Sequence, residues 1–180
     1  VLRLPRAAWY PVSAELAVAQ ARARVPQFVA HAENVSLQMG APNLAKHAIL
    51  ALHLLFELGN SASPSHAYLT TLPKLAGAES PSVPLLWAPV QVATLRGTAT
   101  HAAVLKRQRF VTAAHEALFQ GGGMTGIPLE SFAWALSSVL SRAVSGADMP
   151  YTLMPGVDLL NHAGSAANCA LGATRVASRT

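Results

Sequence analysis

The side chains best placed to do chemistry lie in one short stretch: Met154-Pro155-Gly156-Val157-Asp158-Leu159-Leu160-Asn161-His162. Asp158, Asn161 and His162 are three polar groups closely spaced in an apolar loop. Polar groups in such surroundings must find hydrogen-bond partners or face a ligand. The same spacing also suits an Asp/Asn turn that merely holds a loop. Just upstream, Ser141-Arg142-Ala143 closes a helix that carries Phe132 and Trp134.

Other constellations are weaker. Gly121-Gly122-Gly123-x-x-Gly126 lacks the Gly-Lys-Ser/Thr ending of a phosphate loop and follows no strand, so it reads as a linker. The seven His residues show no metal-ligand spacing. His47 and His53 fall on different faces of one helix, and His101 and His115 are about four turns apart. No metal is expected. Cys169 has no activating base nearby and reads as a small core residue; a single cysteine also excludes an internal disulfide framework. Lys106-Arg107-x-Arg109 reads as a solvated helix face, since a nucleic-acid patch would want interleaved aromatics.

The elements that must position these groups are mostly helical. Ser13 can cap a helix to about Val25, with Leu16, Ala17, Ala19 and Ala23 at helical spacing, stopped by Pro26. A weaker helix covers Gln27 to Gln38. Asn43 is expected to cap a helix from Leu44 to Leu58, with Gly59 as its stop and Leu44, His47, Ala48, Ala51, Leu52 and Leu55 as its buried stripe. Short helices follow at Ser65 to Leu72 and Pro89 to Leu95, with Leu85-Leu86-Trp87 as an apolar anchor between them. Gly97-Thr98 opens a long helix to about Gln120. Pro128 starts an amphipathic helix, Leu129 to Ala143. Beyond it, Gly146, Pro150, Pro155 and Gly156 punctuate a loop-and-strand region.

Composition agrees. The 180 residues are 52% hydrophobic and 12% charged, with a net charge of +5 and a mean hydropathy of +0.33, which excludes a disordered chain. The densest apolar run, Ala48 to Leu58, contains His53 and Glu57 and is about half the roughly 20 residues a spanning helix needs. No membrane association and no nucleic-acid partner are expected. The chain starts at Val1 with no secretory signal, and both ends look cut rather than finished, so a piece of a larger protein is expected.

At these motifs the sequence resembles the SET-domain protein methyltransferases, and more closely the Rubisco large-subunit lysine methyltransferase group. Pro155-x-x-Asp158-Leu159-Leu160-Asn161-His162 is similar to that family's Asn-His signature. Phe132-x-Trp134-Ala135 with Ser141-Arg142-Ala143 resembles its helix before the second SET half. Leu86-Trp87 with Leu95-x-Gly97-Thr98, and Tyr68-Leu69-x-x-Leu72-Pro73, are similar to elements of its helical insert. The order agrees across nearly the whole chain.

The resemblance implies an α+β fold, a mostly helical insert flanked by strand pieces of a split SET β-fold, forming an incomplete domain. Residues 1–11 would end the first SET half, 12–130 form the insert, and 131–180 open the second half. It implies S-adenosylmethionine as cofactor and a protein lysine as acceptor. Arg142, Asn161 and His162 would bind the cofactor; Arg142 and Asp158 would border the acceptor. The family's methyl-positioning tyrosine and Gly-rich turn have no counterpart here, and Tyr68 and Tyr151 stand elsewhere in the pattern, so the 180 residues alone should not turn over. Gly146 stands where relatives can carry a second Arg, and Ala163 replaces a common Ser. The compartment stays open between chloroplast and cytoplasm or nucleus, as does the oligomeric state. Two other readings remain: a non-catalytic SET-like interaction module, and a basic helical module for nucleic acid.

Overall fold

The computed structural model describes residues 12–73, 84–121, 124, 126–146 and 149–158. Seven α-helices, one 3-10 turn and one hairpin are formed among them: α1 Ala14–Arg24, α2 Pro26–Gln38, α3 Leu44–Gly59, α4 His66–Leu69, the 3-10 turn Pro84–Leu86, α5 Pro89–Ala93, α6 Ala99–Gly121, α7 Leu129–Arg142, β1 Ala143–Gly146 and β2 Met149–Leu153. The described chain is therefore mostly helical with one small antiparallel sheet. None of its helices is long and apolar enough to cross a membrane.

Local chemistry explains most helix ends. The Ser13 hydroxyl accepts a hydrogen bond from Leu16 N at 3.3 Å and so caps α1. Pro26 does more than stop α1; it occupies the first turn of α2, where a missing N–H costs nothing. Thr98 Oγ1 accepts from His101 N at 3.3 Å at the start of α6, and Gly97 before it takes φ +86, a conformation that favours glycine. Asn43, by contrast, sits at the α3 N-cap without a side-chain bond to the helix. Gly59 is the last residue of α3 and is not left-handed, so Asn60 ends the helix.

α3 is the hub. It packs most extensively on α7 and also on α1, α2 and α4. Leu44, Ala48, Ala51 and Leu52 of its expected stripe are buried, while His47 and Leu55 are half-buried. Ala45, Ile49, Leu50, His53 and Leu54 are buried too. A helix apolar on nearly all sides is enclosed rather than laid on a surface. The expected stripe of α1 is narrower than its spacing suggests: only Ala14 and Ala17 are buried, and Ala19 and Ala23 are exposed. α1 therefore meets the core mainly through Ala14 and Ala17, with Val18 and Ala21 partly buried beside them.

α7 also departs from a one-sided amphipathic helix. Residues 132–139 are all buried, Ser137 and Ser138 included. Small Ala and Ser side chains let neighbours approach from every direction, and the charged Glu130 and Arg142 stay at its ends. An aromatic cluster anchors it: Phe119 meets Phe132 edge-on at 5.4 Å and stacks on Phe28 at 6.0 Å.

Two histidines serve this core. His31 Nε2 lies 2.7 Å from the Ala117 carbonyl and His115 Nε2 lies 2.8 Å from that of Ile127. A carbonyl only accepts, so each Nε2 carries the proton. Among the described residues no three His, Cys, Asp or Glu side chains gather as a metal site.

The hairpin follows α7 directly. Ala143 faces Leu153 and Val144 faces Thr152, then a bulge shifts the register before Gly146 meets Met149. Ser13, just ahead of α1, forms an isolated antiparallel bridge with Thr152 of β2. Strand structure thus forms on the carboxyl side of α7. The strand expected at Val1 to Pro5 lies outside the described residues.

Candidate functional site

Three distant segments meet at one carboxylate. Tyr68 Oη donates to Asp158 Oδ2 at 3.0 Å, and Arg142 Nη1 donates to the same oxygen at 3.1 Å. Tyr68 lies on α4, Arg142 ends α7, and Asp158 follows β2. The Asp158 side chain is 1% exposed and that of Arg142 24%. The other carboxylate oxygen, Oδ1, is buried with no hydrogen-bond partner among the described residues.

Each of the three side chains is held by local structure. Arg142 closes α7, where the negative end of the helix dipole favours a cation. Asp158 is delivered by a tight turn: Val157 N bonds Met154 O at 3.1 Å, with Pro155 and Gly156 as the central pair. Gly156 has φ +82, as the third residue of a type II turn requires. Tyr68 is set by the loop after α3. Ser63 donates its hydroxyl to Glu57 Oε2, and Ser65 N donates back to Ser63 Oγ at 3.1 Å. Buried Leu69 and Leu72 then pin the segment to the core.

The Tyr68 hydroxyl stays protonated well above the ordinary tyrosine range. Burial is the main cause, followed by the negative charge of Asp158 and the hydrogen bond to it; Arg142 opposes them. The phenol is thus a constant neutral donor beside the carboxylate.

Next to Arg142, a small cleft of about 50 Å³ is lined by Pro73, Leu86, Trp134, Ser137, Ser138 and Arg142. Trp134 Nε1 donates to the Pro73 carbonyl at 2.7 Å and closes one wall. The 3-10 turn that supplies Leu86 is gripped by Gln108, whose amide nitrogen lies 3.0–3.2 Å from the carbonyls of Pro84, Leu85 and Trp87. Small-molecule sites run from about 300 Å³ upward, so this cleft alone houses at most part of a ligand.

Of the residues singled out by sequence, Arg142 and Asp158 are brought into contact. Asn161, His162, Ala163 and Cys169 lie outside the described residues. Tyr151 is committed elsewhere: its hydroxyl donates to Val139 O at 3.3 Å and its ring packs on His47 at 4.7 Å. Lys106, Arg107 and Arg109 are exposed on α6, as a solvated face requires. Tyr68 was legible only as part of the Tyr-Leu-x-x-Leu-Pro element; nothing in its spacing announced a partner 90 residues away.

The fit to an S-adenosylmethionine site is partial. Arg142 uses one guanidinium donor on Asp158 among the described residues, so others remain to face a carboxylate. Asp158 Oδ1 is buried with no hydrogen-bond partner among the described residues. Compared with protein-family models, curated proteins and solved structures, the chain matches none.

Proposed function

We propose that the chain belongs to an S-adenosylmethionine-dependent protein-lysine N-methyltransferase of the SET type, with residues 12–130 as its helical insert and 131–180 opening its second SET half. One observation carries the reading. Tyr68, Arg142 and Asp158 each come from a different motif of the resemblance, and their side chains share one carboxylate oxygen.

The roles follow from chemistry. Arg142 would bind the carboxylate of the cofactor's amino-acid end with its remaining donors. Asn161 and His162 would hold the adenosine end. Asp158, whose Oδ1 is buried with no partner among the described residues, would border the acceptor channel beside Arg142. When bound, the cofactor supplies an electrophilic methyl group. The protein's task is to align the lysine nitrogen in line with it, exclude water, and accept the lysine in its deprotonated form.

The test uses the protein expressed from its complete reading frame, incubated with radiolabelled S-adenosylmethionine and a protein extract. Label transferred to lysine, and lost in Arg142→Met, is the expected result. Absence of transfer together with absence of cofactor binding in calorimetry would sink the reading. Cofactor binding without transfer would favour the non-catalytic SET-like module.

A further inference from the structure

We propose that Gln108 is a positioning residue: by holding the Pro84–Leu86 turn through backbone carbonyls, it sets the Leu86 wall of the cleft at Arg142. This rests on the cofactor-binding role given above to Arg142.

Gln108 is the gap in the basic run Lys106-Arg107-x-Arg109 of α6. The three cations are exposed, whereas Gln108 is half-buried. Its amide nitrogen lies 3.2 Å from Pro84 O, 3.2 Å from Leu85 O and 3.0 Å from Trp87 O. A carbonyl only accepts, so the nitrogen and not the oxygen of the amide must face this trio. Its two N–H groups serve three acceptors, and the turn is gripped at several points rather than tethered at one.

The turn has little else among the described residues to hold it in place. None of Pro84, Leu85 and Leu86 is buried; Leu85 and Leu86 pack on the core only in part. The bond from Trp87 N to Pro84 O at 3.2 Å fixes the shape of the turn and not its location. Its location is set by α6 and α7, which both pack on it. α6 grips it through Gln108. On the α7 side, Leu86 lines the cleft together with Trp134 and Arg142. Trp134 is itself held, through its bond to the Pro73 carbonyl at 2.7 Å. Two polar ties thus set the width of the cleft, one fixing Leu86 and the other the indole. A binding group works only when its surroundings are held to about 0.5 Å, and in so small a cleft a shifted wall changes what fits beside the guanidinium.

The experiment uses the protein expressed from its complete reading frame and labelled with 5-fluorotryptophan, with the Trp134 resonance assigned by Trp134→Phe. Gln108→Met nearly keeps the side-chain volume and removes the donors. The Trp134 fluorine resonance should move, because Leu86 no longer keeps its place. KM for S-adenosylmethionine should rise about tenfold and kcat stay within about twofold, since a displaced wall removes binding that ground state and transition state share. Gln108→Glu, which sets a carboxylate against the three carbonyls, should exceed Gln108→Met in both effects. A merely structural glutamine would lower the unfolding midpoint and leave the Trp134 resonance and KM as in wild type, which overturns the proposal.

Should Gln108→Met not fold, Leu86→Ala and hydrogen exchange serve instead. Leu86→Ala leaves Gln108 in place and removes the wall, so it should move the Trp134 resonance. In wild type the Gln108 side-chain amide protons should exchange more slowly than those of an exposed glutamine. An unmoved resonance, or fast exchange at Gln108, overturns the proposal. The methyltransferase reading fails separately: wild type that binds no S-adenosylmethionine in calorimetry loses the enzyme, and the Trp134 resonance then decides for or against Gln108 by itself.

Discussion

Arg142 reaches back across the hairpin to Asp158, sixteen residues further along the chain, with Nη1 at 3.1 Å from Oδ2. Asp158 is the buried partner and Arg142 the partly wet one. Removing the cation strands a buried charge, which costs more than the pair itself contributes. Arg142→Leu should lower stability by about 2–3 kcal/mol in urea unfolding. Arg142→Leu combined with Asp158→Leu should recover to within about 1 kcal/mol of wild type, since replacing both partners leaves no charge stranded. Additive losses in the double variant would contradict this account.

Trp134 ties α7 to the end of the α4 segment through the bond from its indole to the Pro73 carbonyl at 2.7 Å. Trp134→Phe keeps an aromatic ring and removes the donor. The expected loss is about 1–3 kcal/mol, set by the unpaired carbonyl and the vacated ring volume. Equilibrium denaturation measures it, and a change below a few tenths of a kcal/mol would show the bond to be dispensable.

Tyr68 should resist ionisation in alkali. Its phenol is raised above the ordinary value of 10.0 by burial, then by Asp158. A raised value in the folded state means that folding favours the protonated form. The stabilisation is fully present below pH 10 and falls away as pH rises above it. A spectrophotometric titration of phenolate absorbance should therefore show Tyr68 ionising late, alongside Tyr151, which burial also raises, and Asp158→Asn should move the Tyr68 step alone towards the ordinary range. A Tyr68 step that ignores Asp158→Asn would place the cause elsewhere.

His47 gives the opposite limb. Burial, then the charge of Lys46, holds its imidazole below the ordinary 6.5, and its ring packs on Tyr151. A lowered value in the folded state means that folding favours the neutral ring. Its contribution is present above pH 6.5 and is lost as pH falls below it. His47→Gln should flatten the acid side of the stability profile measured by thermal melts between pH 7 and pH 5. An unchanged acid slope would remove His47 as its source.

The helices were legible because their signals are local. Ser13, Pro26, Thr98 after Gly97, and Pro128 act within one turn of their own position, so boundaries at α1, α2, α6 and α7 follow from neighbours a few residues apart. The Pro155-Gly156 turn is local too, since it needs only one residue that tolerates positive φ. Where the local signal was ambiguous it misled: Asn43 has the right chemistry for a cap, yet its side chain makes no bond to α3.

Burial and pairing were decided by the tertiary structure. Ala19 and Ala23 repeat at helical spacing and are exposed, whereas Ser137 and Ser138 look polar and are buried. Such small side chains carry little transfer free energy of their own, so the packing of neighbouring helices decides where they lie. The sequence alone placed Arg142 at a helix end and Asp158 after a Pro-Gly turn. That they share an oxygen with Tyr68 depends on α3 packing between α4 and α7. Contacts across 90 residues have no periodic or capping signal, because they form only once the intervening chain has been collapsed around the core.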